Sequence, residues 1–289
     1  MNLSAEDSMA RPHTLHEARL LRVIAYIHDN PAGDLSLDAL ADVAAMSRFH
    51  WHRLYRAMTG ETCAQAVKRL RMHKAAGLLV ETDLSVSEIG ARVAYPASAS
   101  FSRAFADIYH LSPGAFRAEG QRPLDTTRIT IGDKIMHDVE IREVPPLYLA
   151  TLEHRGPYPE IARAFQSLYA IIGANGLFPK VGHGVAVYFD DPGSTPASEL
   201  RSLAGATLPA GTELPASLTA HEVPGGRMAV LTYKGPYSGL PGIYDYIYGT
   251  WLAASDAEPA DHPSFEVYLN DPTDTAPEDL LTEVCVPLR

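Results

Sequence analysis

The sequence predicts two domains of different classes, an all-α domain followed by an α+β domain. Residues 15–117 carry apolar residues at helical spacing between short turns, and residues 137–289 contain two copies of one strand and helix pattern. Residues 118–136 are predicted to be a linker, because residues 117–127 are polar and include Gly120 and Pro123, and residues 1–14 are predicted to be a polar N-terminal tail. With 289 residues, of which 46% are hydrophobic, the chain is long enough to build a core in each domain.

Breaks and capping residues delimit the helices of the first half. The first helix is predicted to end before the Asn30-Pro31-Ala32-Gly33 break. Ser36 and Ser47 stand where the second and third helices need an N-cap. Residues 62–81 then predict a helix of about 20 residues, roughly 30 Å long.

A unit of short helix, turn and longer helix occurs twice, at residues 36–56 and 85–106. Two helix-turn-helix units joined by a helix of about 30 Å would match the ~34 Å repeat of B-DNA, so both second helices could enter successive major grooves. Residues 43–117 also carry 10 Lys+Arg against 5 Asp+Glu, the charge sign expected of a surface that contacts phosphates. The first half therefore predicts DNA binding.

Several motifs in residues 36–117 fall in the order of a known family. They are Ser47-Arg48-Phe49-His50-Trp51-His52-Arg53-Leu54-Tyr55, Ala75-Ala76-Gly77-Leu78-Leu79, Phe101-Ser102-Arg103-Ala104-Phe105 and Leu111-Ser112-Pro113-Gly114-Ala115-Phe116-Arg117. With these motifs the segment resembles the DNA-binding domain of AraC-type transcription regulators. It departs at Ala94-Tyr95, where the family has Gly-Phe. Because Ala adopts a positive φ less readily than Gly, we expect an altered turn in the second unit.

The third helix has an apolar side, formed by Trp51, Leu54 and Tyr55, so its opposite side is predicted to contact DNA. The predicted DNA-contact residues are Arg48, Phe49, His52, Arg53 and Arg56 in the first unit and Ser98, Ser100, Ser102 and Arg103 in the second. The resemblance implies base contacts for Arg53 and His52, and phosphate contacts for the arginines at positions 48 and 56. Because serines discriminate little between bases, the second unit is expected to read sequence more weakly.

The second half contains an internal repeat. Glu143-Val144-Pro145 recurs as Glu222-Val223-Pro224, and Arg155-Gly156-Pro157-Tyr158 as Lys234-Gly235-Pro236-Tyr237, both 79 residues later. Each copy predicts a strand, a Gly-Pro-Tyr turn, a helix and two further strands. Two such β-α-β-β modules would form one antiparallel sheet with two helices on one face and a groove between the helices. This duplicated pattern in residues 137–289 resembles the GyrI-like effector-binding domain, a small-molecule-binding fold found attached to the DNA-binding domains of bacterial regulators.

Aromatic and acidic side chains predict the ligand chemistry of the groove. The candidate ligand-binding residues are Tyr158, Tyr237, Trp251, Phe265, Glu266, Tyr268 and Glu283. Glu283 has apolar neighbours in its strand, and two interpretations stay open: an edge position that faces water, or a buried acceptor for a cation. The resemblance implies the second role, because the family has an acidic residue on its terminal strand. Glu266 is the second candidate. Aromatic rings would add cation–π attraction.

Together these features predict a bacterial one-component transcription regulator that binds double-stranded promoter DNA and a small, cationic, lipophilic effector. The alternatives are a hydrolase of electrophilic small molecules, a drug-sequestering protein, or an inhibitor that binds another protein. Whether RNA polymerase is a partner and whether the protein is a monomer stay open. Residues 126–289 carry 10 Lys+Arg against 21 Asp+Glu, which favours a cationic ligand.

Other classes of site and location are not predicted. The sequence has no zinc-ligand spacing, glycine-rich phosphate loop or Gly-x-Ser-x-Gly motif, so we expect no metal, cofactor or catalytic residue. Its N-terminus is polar, and no apolar stretch approaches the ~20 residues that span a bilayer, so a cytoplasmic location is expected.

Overall fold

A computed structural model describes residues 14–119 and 137–289. The predicted tail and linker lie almost entirely outside the described residues. The described chain divides into two compact units. The first comprises residues 14–45, 61–119 and 253–256, and the second comprises residues 46–60, 137–252 and 257–289. The third helix therefore belongs to the second unit, and the domain boundaries along the sequence stay a prediction.

Seven helices form the described part of the first half, and their ends follow the local capping chemistry. They are α1 (Leu15–Asp29), α2 (Leu37–Ala44), α3 (Arg48–Thr59), α4 (Cys63–Glu81), α5 (Val86–Arg92), α6 (Ser98–Tyr109) and α7 (Pro113–Glu119). The hydroxyls of Ser36, Ser47, Thr62 and Ser85 accept hydrogen bonds from backbone N–H groups in the first turns of α2, α3, α4 and α5. In the first unit, Met72, Leu79, Ile89, Phe101 and Phe105 pack in one buried core.

Both helix-turn-helix turns contain an alanine in the left-handed region. Ala45 has a φ of 52° and Ala94 a φ of 62°. Ala94 stands where the family has glycine and still adopts a positive φ, so the expectation that its presence alters the turn is wrong. The turn keeps the left-handed conformation, and the strain is carried by an alanine in both units.

The second half forms one antiparallel eight-stranded sheet. Its strands are β1 (Glu140–Val144), β2 (Leu147–Arg155), β3 (Gly184–Tyr188), β4 (Arg201–Thr207), β5 (Thr219–Val223), β6 (Gly226–Lys234), β7 (Ser264–Tyr268) and β8 (Leu281–Pro287). The order across the sheet is β1-β6-β8-β7-β3-β4-β2-β5. The two repeat copies meet where β3 pairs with β7, at the middle of the sheet. The predicted fold class is confirmed.

Each repeat copy has one more strand than the repeat pattern predicted. β1 and β5 precede the predicted first strands, so each copy is β-β-α-β-β. Helix α8 (Ala162–Ala174) belongs to the first copy and α9 (Leu240–Tyr246) to the second, where a π-helical segment, Ile247–Leu252, continues it. None of the described helices combines the length and the apolar character needed to cross a membrane.

The two faces of the sheet carry different side chains. Ala186, Tyr188, Ala204 and Ala206 pack with Leu168 of α8 on one face. Val185, Val187, Phe265 and Cys285 pack together on the other face. Because successive strand residues point to opposite faces, each position in β7 and β8 is assigned to one face by its parity.

Candidate functional site

The central feature of the second unit is the buried carboxylate of Glu266 in β7, which is 2% exposed. The Tyr268 hydroxyl donates to Glu266 Oε2 at 2.8 Å, and the Tyr188 hydroxyl donates to the same oxygen at 3.2 Å. Burial raises the pKa of Glu266, while the hydrogen bonds from these hydroxyls lower it. The net shift is upward, so ionising this carboxyl is harder than in water.

Tyrosines from both repeat copies surround this carboxylate. The ring centroids of Tyr158 and Tyr188 are 4.6 Å apart, and those of the equivalent residues Tyr237 and Tyr268 are 5.2 Å apart. Tyr244 of α9 contacts Tyr188 edge-to-face at 6.5 Å. We call Glu266 and these five tyrosines the tyrosine cluster. Of the predicted ligand-binding residues, the cluster contains Tyr158, Tyr237, Glu266 and Tyr268.

The chemistry of the tyrosine cluster suits a flat cation. Neutral aromatic rings attract a cation through their negative faces, and a buried carboxylate adds charge attraction that solvent screens only weakly. An anion would be repelled by Glu266 in addition to losing its hydration.

Glu283 lies outside the tyrosine cluster. It pairs with Val267 and Thr232 in the sheet register, which puts its side chain on the face opposite Glu266. Its Oε2 accepts a 2.6 Å hydrogen bond from Arg142 Nη2 of β1, and only 16% of its side chain is exposed. The expectation that Glu283 binds a cationic ligand is wrong, because the guanidinium of Arg142 already pairs with its carboxylate.

Two predicted aromatic ligand-binding residues also lie elsewhere. Phe265 is fully buried on the opposite face of the sheet, where it packs with Val185, Val187 and Cys285. Strand parity is the reason, because Phe265 precedes Glu266 by one position. Trp251 is partly buried in the π-helical segment and does not belong to the tyrosine cluster.

Helix α3, which was predicted to expose Arg53, uses this side chain inside its own unit. The guanidinium carbon of Arg53 lies 5.0 Å from the ring centroid of Tyr244 and 5.7 Å from that of Tyr248. Its Nη2 donates to the Asp190 carbonyl oxygen at 3.0 Å. The prediction that Arg53 faces solvent is therefore wrong in this structure.

His52 is also buried rather than outward-facing. It is 4% exposed, and its Nδ1 donates to the Arg48 carbonyl oxygen one turn earlier, at 2.6 Å. Burial and the neighbouring charge of Arg53 lower the pKa of His52 to about 4. An imidazole enclosed in this way cannot reach a base edge, so its predicted role requires this helix to move.

His50 is a contact residue that the sequence analysis did not identify. It is fully buried, its Nε2 donates to the His262 carbonyl oxygen at 2.9 Å, and its Nδ1 lies 2.7 Å from the Tyr248 hydroxyl. Since Nε2 carries the proton in this arrangement, the Tyr248 hydroxyl donates to Nδ1 and accepts from Ser264, 2.7 Å away. Burial and Arg53 lower the pKa of His50 to about 3.

The other predicted DNA-contact residues differ in accessibility. Arg48 is exposed with its guanidinium 5.2 Å from the Phe49 ring, and Phe49 is partly buried. Arg56 Nη1 lies 3.6 Å from Asp191 Oδ1. In the first unit, Ser98, Ser100 and Arg103 of α6 are exposed and Ser102 is partly exposed. The predicted contact residues of α6 are therefore open to solvent, as are the arginines at positions 48 and 56 of α3.

Family models match both halves of the chain. Residues 137–289 match the GyrI-like small-molecule-binding domain, and residues 40–119 match a helix-turn-helix domain. The first match covers more than half of the chain. The two resemblances derived from the sequence motifs are confirmed.

Curated relatives align with the helical half. The chain is 38% identical over 93 residues to the MmsAB operon regulatory protein of Pseudomonas aeruginosa, covering 32% of this chain and 30% of that protein. It is 33% identical over 104 residues to the HTH-type transcriptional regulator MtrA of Neisseria gonorrhoeae, covering 36% of this chain and 35% of that protein. The chain thus spans about a third of the length of these relatives.

Solved structures align at low sequence identity. The cryo-EM structure of an EcmrR–DNA complex is 12% identical, covers 78% of this chain and 82% of that chain, and has a TM-score of 0.45. A hydrolase from Listeria innocua is 15% identical, covers 53% of this chain and 92% of that chain, and has a TM-score of 0.41.

Proposed function

Because this chain belongs to the GyrI-like family of small-molecule-binding domains through residues 137–289 and has a helix-turn-helix domain at residues 40–119, we propose that it is a one-component transcription regulator. Its helix-turn-helix domain binds promoter DNA, and its GyrI-like domain binds an effector that changes the affinity for DNA. Contact with RNA polymerase at the promoter is part of the same proposal.

The effector in this proposal is a flat or lipophilic cation bound in the tyrosine cluster. The observation that carries the proposal is the buried Glu266 carboxylate, which accepts hydrogen bonds from tyrosines of both repeat copies. Apolar contact supplies most of the affinity of such sites, and the carboxylate supplies the preference for positive charge. Glu266 takes over the role that the sequence analysis gave to Glu283.

Calorimetry on the full-length protein tests the effector class with two ligands of the same shape, phenylguanidinium and neutral phenylurea. We expect phenylguanidinium to bind at least tenfold more tightly, and Glu266→Gln to weaken its binding by about 1–3 kcal/mol while phenylurea binding hardly changes. Glu283→Gln is the matched control, because it removes a carboxylate from the opposite face and should leave both affinities unchanged. Equal affinities for the two ligands in the wild type would contradict a cation site.

The DNA part of the proposal has a separate test. Selection of binding sites from random duplex DNA with the full-length protein should enrich one recurring sequence. Recovery of no common sequence, with or without phenylguanidinium, would contradict the regulator proposal. Transcription from a promoter that contains the selected site then measures the effect on RNA polymerase.

A further inference from the structure

Two arginines of α3 that are predicted to contact DNA instead contact residues of the GyrI-like segment, which lies in the same unit as α3. Arg53, predicted to read base edges, lies over two tyrosine rings and donates to a backbone carbonyl oxygen. Arg56, predicted to contact a phosphate, pairs instead with the carboxylate of Asp191. Ser47, the N-cap of the same helix, donates to Asp261 Oδ1 at 2.8 Å. These acidic, carbonyl and aromatic groups offer α3 the same interactions that DNA phosphates and bases would offer.

Arg53 also has the chemistry that the tyrosine cluster selects. Its guanidinium is a flat, delocalised cation, and Tyr244 contacts both this guanidinium and Tyr188, which donates to Glu266. The positive charge of Arg53 lowers the pKa of Glu266, so the two charges attract each other. A cationic effector that binds next to Glu266 would therefore meet a cation already present at the edge of its site.

We propose that Arg53 is an internal ligand of the tyrosine cluster, which keeps α3 packed against the rest of its own unit until a cationic effector takes the place of this side chain. This inference rests on the proposed function, because it names the regulation of the same effector site. With Arg53 in the cluster, α3 cannot present this side chain to a base. Binding of the effector and release of α3 for DNA are then coupled, since both use the same aromatic surface.

A close backbone approach between α3 and the π-helical segment gives a variant that leaves the predicted DNA-contact residues unchanged. Gly249 lies in the π-helical segment, where an added Cβ would be 2.9 Å from Ala57 Cβ and 3.1 Å from the Ala57 carbonyl oxygen. Because the backbone of α3 cannot yield as a flexible side chain would, Gly249→Ala should push the helix away. Gly242→Ala in α9 is the matched control, because an added Cβ there meets no atom within 4 Å.

The first test measures the affinity of full-length proteins for a duplex selected from random DNA by the Gly249→Ala variant. We expect phenylguanidinium to raise the affinity of the wild type at least tenfold. Gly249→Ala should bind at least tenfold more tightly than wild type without ligand and should respond little to it. Gly242→Ala should behave as wild type. Equal DNA affinity of the Gly249 and Gly242 variants, or a lower affinity of the wild type with ligand, would overturn the proposal.

The second test needs no DNA and covers the case in which Gly249→Ala does not fold. Calorimetry compares phenylguanidinium binding by wild type, Arg53→Ala and Arg48→Ala. Removing an internal ligand should tighten binding at least tenfold, whereas Arg48→Ala removes an exposed arginine of the same helix and should have no effect. If Arg53→Ala and wild type bind equally, Arg53 is not an internal ligand and the cation site stands. If neither protein binds, the proposed effector class itself is wrong.

Discussion

Ala186 and Glu266 lie directly opposite each other where β3 pairs with β7, and they are also equivalent positions of the two repeat copies. The approximate symmetry axis of the duplication therefore passes between them. Their neighbours keep the symmetry, since Tyr188 and the equivalent Tyr268 both donate to the single carboxylate. A second glutamate at position 186 would set two buried negative charges against each other, so one acidic residue serves the tyrosines of both copies.

The burial of Glu266 predicts that this residue lowers the stability of the ligand-free protein. The pKa of Glu266 is higher in the folded protein than in the unfolded chain, so folding favours the protonated carboxyl. The stability associated with this protonated form is fully present below the unfolded pKa and is lost as the pH rises through the folded pKa. Glu266→Gln keeps an acceptor for the tyrosine hydroxyls without the charge. We expect urea unfolding at pH 7.5 to give a higher free energy of unfolding for the variant than for wild type, with a smaller difference at pH 4.

Glu283→Gln provides the comparison for this experiment. It removes the ion pair with Arg142, which is 40% exposed, so it should lower the free energy of unfolding at pH 7.5 by at most about 1 kcal/mol. A Glu266→Gln protein that is less stable than wild type at pH 7.5 would mean that the ionised carboxylate stabilises the fold.

The alanine turns predict a stabilising substitution in the first unit. Ala94 has a φ of 62°, a conformation that costs an alanine about 1–2 kcal/mol and costs glycine little. Glycine loses more chain entropy on folding, about 0.5–1 kcal/mol, so Ala94→Gly should raise the free energy of unfolding by roughly 0.5–1 kcal/mol. Thermal unfolding measures this change in stability. Ala91→Gly, inside α5, is the control and should lower the free energy of unfolding by about 1 kcal/mol. A lower free energy of unfolding in both variants would contradict the strain argument.

Local chemistry predicted the helical half well. The hydroxyls of Ser36, Ser47 and Ser85 cap helices through contacts within a few residues, and such contacts are visible in a sequence. The predicted strands β2 and β6 were found through the repeat and their apolar runs. β1 was missed because it is largely exposed along its length, so it has no alternation of apolar and polar residues.

The site was harder to predict because it depends on strand parity and on distant contacts. Glu266 and Glu283 both have apolar neighbours in sequence, and only the face on which each lies distinguishes them. The sequence names Glu266 as the second candidate, and its two-residue spacing to Tyr268, the repeat equivalent of Tyr188, could have ranked it above Glu283. The contact of His50 with Tyr248 joins residues 198 positions apart, and no local pattern predicts it.

The buried His50 predicts a loss of stability in acid. Its folded pKa of about 3 lies below the ordinary 6.5, so between these values the unfolded chain binds a proton that the folded chain does not. Lowering the pH from 7 to 5 should reduce the free energy of unfolding by up to about 2 kcal/mol through His50 alone. Urea unfolding of wild type and His50→Gln at both pH values measures this, and the difference between them should shrink by that amount in acid. If the difference in free energy of unfolding between the two proteins is the same at both pH values, His50 does not contribute to the loss of stability in acid.

The two helix-turn-helix units should read DNA with unequal specificity. Helix α3 carries three arginines at predicted contact positions, whereas the predicted contact positions of α6 are three serines and Arg103. Because arginine recognises guanine with two hydrogen bonds and serine can hydrogen-bond to any base, sites selected from random DNA should contain one sharply defined half-site and one loosely defined half-site.

Arg53→Ala should weaken binding to the selected site by about 1–3 kcal/mol and to random DNA much less. Arg103→Ala, the comparison in α6, should weaken both by similar amounts, as expected for a phosphate contact. Two equally sharp half-sites, or equal losses on both DNAs for Arg53→Ala, would contradict the assignment of base reading to α3.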